Sequence, residues 1–210
     1  MTDVAPQVRG GFPDLKPADH APPGLDRFVA ATRRLQDLTV TTNPESSRWA
    51  AAAQHIENAC ALLDGHQVPE GAAPAGRVLD LPGLGHPLLP PWTLTDSESD
   101  SESDGVTMEG HFTKSHVGGN NAVHGGMIPL LYDWLVGMVV SIAGFRPTRT
   151  AYLHVDYRSI TPIDEPLTAR GHITEIDGRK IFVSATMTAA DGALLSEANG
   201  LMIRLLPHQP

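Results

Sequence analysis

Two groups of residues in this 210-residue chain have the types and spacing for chemistry on a carbonyl. One is His124-Gly125-Gly126; the other is Asp133, nine residues after the histidine. Between and beyond them, from Met127 to Ala143, the residues are almost all apolar. If that run is a helix, the two glycines lie at its N-terminus. Backbone N–H groups there lack intrahelical acceptors and the helix dipole is positive. Such an end can hold an anion or a developing oxyanion, and glycine leaves the approach open. Asp133, about two turns further on, is placed to activate a water or to attack directly. At about 100° per residue, Gly126, Pro129, Leu130, Asp133 and Gly137 share one face, small-sided enough for a narrow ligand or a neighbouring backbone. A plainer alternative stands beside this one: His-Gly-Gly is only a turn, and Asp133 is an acid paired with Arg146 or Arg149.

The element that carries these groups reads as a helix buried all round, because it lacks a polar face. An aspartate is rarely fully buried unless it is paired or functional, which makes Asp133 the informative residue. Pro129 requires the helix to begin late or to kink, since beyond the first turn proline removes a helical hydrogen bond. A membrane span is disfavoured by the acid at the centre of the run.

Strands flank this helix. Trp92–Thr95 and Val106–Thr113 precede it, joined by the repeat Ser97-Glu98-Ser99-Asp100, Ser101-Glu102-Ser103-Asp104, which reads as a solvated hairpin loop without calcium-loop spacing. Four strands follow. Residues 151–158 alternate with period two; 167–176, 181–189 and 194–206 are separated by Asp177-Gly178 and Asp191-Gly192, both hairpin signals. The expected order is two strands, a long helix and a four-stranded antiparallel meander, an α+β layer arrangement. Upstream, Leu25, Phe28, Val29, Leu35 and Leu38 have helical spacing. Asn43-Pro44-Glu45 reads as the start of a second helix with Trp49, Ala52, Ala53, Ile56, Ala59, Cys60 and Leu63 on its apolar face, ending at Gly65. Two such helices make a thin core and should pack on the main domain or on a second subunit. Residues 1–24 read as a tail, and the proline-punctuated 68–92 as an extended connector. The expected division is a tail and helical extension over 1–85 and a catalytic domain over 86–210.

Composition narrows the partners. A net charge of −9 argues against nucleic acid, whose phosphates need a basic surface. One cysteine, Cys60, allows no intrachain disulfide, and with no secretory signal pattern a cytoplasmic setting is expected. Neither zinc spacing nor a phosphate-binding glycine motif is present, so no metal is expected.

The pattern His124-Gly125-Gly126, Asp133 and Gly137 closely resembles the PaaI-like hot-dog acyl-CoA thioesterases. The likeness continues through Thr150-Ala151-Tyr152-Leu153-His154-Val155-Asp156-Tyr157, Thr161-Pro162, Gly178-Arg179-Lys180, Ala190-Asp191-Gly192 and Glu197-Ala198-Asn199-Gly200, over roughly residues 86–206. It implies a hot-dog fold, an antiparallel sheet wrapped around a central helix. It also implies hydrolysis of acyl-CoA to free acid and coenzyme A, with coenzyme A part of the substrate and no separate cofactor. Asp133 would be general base or nucleophile, and the Gly125 amide would polarise the carbonyl. Thr150, supplied by a neighbouring subunit, would position the water. His124, Gly126, Asn121, Met127 and Leu130 would contact substrate, the acyl chain passing Met127, Leu130 and Leu131 between helix and sheet. A homodimer or dimer of dimers, with the site at the subunit interface, follows from the same likeness. Some members carry asparagine six residues before the histidine; here that position is Gly118, with Asn120, Asn121 or His116 as substitutes. Arg146, Arg149 and Arg158 are candidates for the coenzyme A phosphates. A non-catalytic acyl-CoA-binding protein and an enoyl-thioester hydratase are the alternatives.

Overall fold

The computed structural model describes residues 20–69, 71–98 and 105–206. The tail before His20 and most of the Ser/Glu/Asp repeat, residues 99–104, lie outside the described residues. Two N-terminal helices, α1 (Leu25–Thr41) and α2 (Ser46–Leu63), precede the sheet. Strands β1 (Thr93–Glu98) and β2 (Gly105–Gly110) follow, then a small hairpin of β3 (Val117–Gly119) and β4 (Ala122–Val123). Helix α3 (Met127–Ile142) leads into β5 (Thr148–Tyr157), β6 (Leu167–Asp177), β7 (Lys180–Ala189) and β8 (Leu194–Arg204).

The six long strands form one antiparallel sheet in the order β1-β2-β6-β7-β8-β5, with α3 against its concave face. This is the expected α+β hot-dog architecture. The simple meander is not observed. Only β6, β7 and β8 run as successive hairpins, while β5 pairs with β8 and forms the opposite edge. The cause is the connection after β5. Residues 158–166 contain no tight-turn pair and cross the sheet, bringing β6 beside β2.

The turns follow their local chemistry with small shifts. Asp177 pairs with Lys180, so the two-residue loop is Gly178-Arg179, with Gly178 at φ 59°. Ala189 N–H donates to Ala193 O, which makes the second turn a three-residue loop with Gly192 in the left-handed region. The β3–β4 hairpin was not anticipated. Asn120 and Asn121 both have positive φ, 50° and 56°, a primed turn that asparagine tolerates better than most residues.

Helix α3 is held to the sheet by one face only. Leu131, Tyr132, Leu135, Val136 and Val140 are fully buried and Val139 nearly so. They pack over Ala169, Ile181, Val183, Ala185 and Met202. Two sheet glycines let the helix approach. A Cβ on Gly171 would meet Val139 Cγ2 at 3.0 Å, and one on Gly200 would meet Val136 Cγ1 at 3.4 Å. Tyr132 Oη lies 2.8 Å from Ser196 O and 2.9 Å from Ser196 Oγ, pinning α3 to β8. Burial pushes its phenol pKa up, against the opposing pull of the Ser196 bond. The other half of α3 is open: Gly126 and Asp133 are exposed, and no atom approaches within 4 Å of a Cβ built on Gly137. The expectation of a helix buried on every side is therefore corrected. An apolar run fits one sheet and one uncovered face equally well, because a surface reserved for another molecule is as apolar as a core.

Pro129 causes no kink. The helix begins at Met127, so Pro129 falls in the first turn, where N–H groups have no intrahelical acceptor. Helix α2 starts at Ser46 with Glu45 at the cap position, two residues past the expected Asn43. Of the two N-terminal helices α1 is docked, with Val29 buried, while no residue of α2 is buried within the chain. No helix among the described residues is long and apolar enough to cross a membrane.

Candidate active site

Asp133 projects from the open face of α3, not from the core. An exposed carboxylate keeps its hydration, which removes the desolvation conflict raised by the sequence. Its partner is neither Arg146 nor Arg149. Thr150 Oγ1, at the start of β5, donates to Asp133 Oδ1 at 2.8 Å and lies 3.4 Å from Met202 Sδ. Both residues belong to one chain, which corrects the expectation that Thr150 meets Asp133 from a neighbouring subunit. The reason is the position of β5: as the edge strand paired with β8, it runs alongside its own α3.

A β-bulge aims the threonine. Tyr157, Val155 and Leu153 pair with Ser196, Ala198 and Gly200, all on the helix side of β8. Strict alternation would next put Ala151 on that side. The register instead shifts between Thr150 and Tyr152, leaving Ala151 unpaired and placing Thr150 opposite Met202. One extra residue thus turns a hydroxyl toward the acid, a known use of bulges beside active sites.

The second group forms at the start of α3. His124 Nδ1 accepts the Gly126 N–H at 3.0 Å, and Met127 N–H donates to His124 O at 2.9 Å. Tyr157 Oη donates to Gly125 O at 2.7 Å. The Gly125 N–H has no acceptor among the described residues. Of the two glycine amides, only Gly125 is thus free to bind an oxygen. His124 acts on the loop and keeps Gly126 occupied. His124 itself is fixed by its own N–H, which donates to His116 O at 2.8 Å. Tyr157 was not singled out by the sequence, since a strand-end tyrosine carries no local signal of what it will touch.

Gly118 cannot be replaced simply by the asparagine that the resemblance would lead one to seek there. A Cβ there would lie 2.7 Å from His124 Cα. The strand and the histidine backbone approach closely because residue 118 has no side chain. Asn120 and Asn121 occupy the adjacent turn, where their positive φ gives both a conformational role. Met127 and Leu130 are partly exposed beside Asp133, whereas Leu131 is sealed in the core. Packed side chains fill the space between helix and sheet at Leu131, so the open side of α3 is the accessible apolar surface. Among the arginines, Arg158 is engaged with Glu197, by a short contact, and lies 3.5 Å from Asp156; Arg146 and Arg149 are exposed. No cluster of metal-ligating side chains occurs among the described residues.

Residues 120–196, which contain the His-Gly-Gly turn, Asp133 and Thr150, match the family model of the thioesterase superfamily. Acyl-coenzyme A thioesterase THEM4 of Rattus norvegicus is 35% identical over 89 residues, 42% of this chain and 38% of that protein. The protein of the same name from Xenopus laevis is 34% identical over 86 residues, 40% and 38% of the two chains. The match thus spans well under half of these relatives' length. The crystal structure of a thioesterase superfamily protein is 25% identical, with a TM-score of 0.75, and the alignment covers 94% of this chain and 98% of that one. Coverage that high takes in the N-terminal helices as well as the sheet.

Proposed function

We propose that this chain, whose residues 120–196 match the family model of the thioesterase superfamily, hydrolyses acyl-coenzyme A thioesters to a free acid and coenzyme A. The observation that carries this reading is the Thr150–Asp133 hydrogen bond on the open face of α3. The hydroxyl occupies Oδ1 and orients the carboxylate, leaving Oδ2 to take a proton from water. Water attacks the thioester carbon, the carbonyl oxygen becomes an oxyanion, and the C–S bond then breaks. The proton held by Asp133 passes to the departing thiolate. Direct attack by Asp133, with later hydrolysis of the anhydride, uses the same groups.

The oxyanion donor comes from a second copy. Six residues separate Met127 from Asp133, about 9 Å of helical rise, and Gly125 lies further out. A carbonyl held by an N–H and approached by a carboxylate spans roughly 7 Å in all. Within one chain that separation rules out direct attack, and two copies packed through their open α3 faces, antiparallel, would bring Gly125 and Asp133 together for either route. On this reading the assembly is a homodimer or a dimer of dimers with shared sites, and the acyl chain runs past Met127 and Leu130. Arg146 and Arg149 are available to the coenzyme A phosphates; Arg158 is already neutralised by carboxylates. Neither a metal nor a further cofactor takes part in this chemistry.

Thiol release from acyl-CoA substrates of graded chain length tests the proposal. Turnover by the wild type, reduced at least about a hundredfold in Asp133→Asn with folding intact, is the expected result. Tight acyl-CoA binding without thiol release would refute hydrolysis and favour a binding protein.

A further inference from the structure

Helix α1 lies far from the site in sequence, yet it contacts the Lys114–His116 turn, to which the residue before the free amide is bonded. Asp37 Oδ1 accepts the Ser115 N–H at 2.9 Å, across 78 residues. Ser115 belongs to a single helical turn, Lys114–His116, closed on itself by a side-chain network. Thr113 N–H donates to His116 Nδ1 at 2.8 Å, and the Thr113 and Ser115 hydroxyls lie 3.0 Å apart. The carbonyl of His116 then accepts the His124 N–H at 2.8 Å. One hydrogen bond from a backbone N–H to the carboxylate, one closed turn and one backbone–backbone hydrogen bond thus connect Asp37 to the residue before Gly125.

The support for Asp37 is itself rigid. One turn earlier, Arg33 donates to Leu89 O at 2.8 Å, His86 O at 3.0 Å and Pro82 O at 3.1 Å, fastening α1 to the proline-rich connector. Partial burial works to raise the Asp37 pKa. Hydrogen bonds from Thr113 and Ser115, with the field of His116, outweigh it and hold the carboxyl below its usual range. The acid is ionised as it accepts, and charge-assisted bonds are the stronger kind.

We infer that Asp37 is a positioning residue for the oxyanion loop, acting through Ser115 and His116 on His124-Gly125. The N-terminal extension is on this view part of the hydrolytic apparatus. The inference rests on the thioesterase reading only for its kinetic consequence.

The test uses the full chain with Asp37→Ala and Asp37→Asn, the second keeping an acceptor for Ser115. Amide hydrogen exchange at Ser115 and His124 should accelerate about tenfold or more in Asp37→Ala, with β7 and β8 unchanged. In the same variant kcat should fall about tenfold with KM within about twofold, as expected for an interaction made in the transition state. Asp37→Asn should recover most of both. Wild-type exchange at His124 in Asp37→Ala overturns the inference. So does unchanged kcat where the wild type turns over, or acceleration spread evenly over the sheet. A wild type that releases no thiol defeats the functional reading, while the exchange result still decides whether the brace exists.

Discussion

Consider chains carrying Asp133→Asn mixed with chains carrying Gly125→Pro. The first loses the acid, at least about a hundredfold in rate. The second loses the amide hydrogen that holds the oxyanion, about 10²–10³-fold. Proline at 125 breaks no internal hydrogen bond, and a Cβ there meets Tyr157 only at 3.7–3.9 Å. Each homodimer should therefore retain about 1% of wild-type turnover or less. Random reassortment makes half of the dimers mixed, and each mixed dimer holds one site with both defects and one with neither. Recovered activity should approach about a quarter of wild type in the unfractionated mixture and about half in the isolated mixed dimer. The assay is thiol release after co-refolding, with the mixed dimer isolated by differential tags. Turnover that stays at the parental level in a verified mixed dimer would refute the shared site. Pairing Asp133→Asn with Thr150→Val is the internal control. Acid and hydroxyl come from the same chain, so mixing these two should yield no intact site and no gain.

Two further outcomes follow from bonds already described. Thr150→Val keeps the strand-forming shape but removes one hydrogen bond to a charged acceptor, about 1.5 kcal/mol for an exposed pair, so kcat/KM should fall roughly tenfold while Thr150→Ser stays close to wild type. Burial pushes the His116 imidazole below its ordinary 6.5, with Asp37 opposing and Arg33 and His111 adding to the depression. The neutral ring accepts from Thr113 N–H, so the stability it contributes is present above about pH 6.5 and lost as pH falls through the lowered folded value. Between about pH 7 and 5, Tm should drop less in His116→Asn, which offers an oxygen acceptor that does not titrate; parallel Tm curves would count against this assignment.

Much of the fold was legible because its signals are local. Period-two alternation marked β5 and β7, the Asp177-Gly178 and Asp191-Gly192 turns set off β6 and β8, and an apolar run opened by His-Gly-Gly marked α3. What failed depended on distance or on other molecules. The crossover placing β5 at the far edge leaves no trace in the strand's own residues. Whether Leu131 or Leu130 faces the core is settled by which side of α3 its sheet covers. The contact from Asp37 to Ser115 spans 78 residues and joins a surface helix to a loop, with no periodicity to announce it. The Asn120-Asn121 turn was readable in principle: two asparagines flanked by Gly118-Gly119 suit a primed hairpin, yet they were weighed only as substitutes for a missing side chain.

The unpaired Ala151 changes what it means for two chains to have the same residue at the same place. Counted back from Tyr157, the alternation assigns Arg149 and Ala151 to the helix side; counted forward from Thr148, it assigns Thr150. Only the second phase holds beyond the bulge. Strand length is therefore information in its own right, a parity carried by one alanine whose side chain does nothing in the site. A relative lacking that residue could match letter for letter around the threonine and still turn a different side chain toward its acid. Correspondence between such sites has to be drawn through cross-strand partners, here Met202, and not through columns of aligned letters.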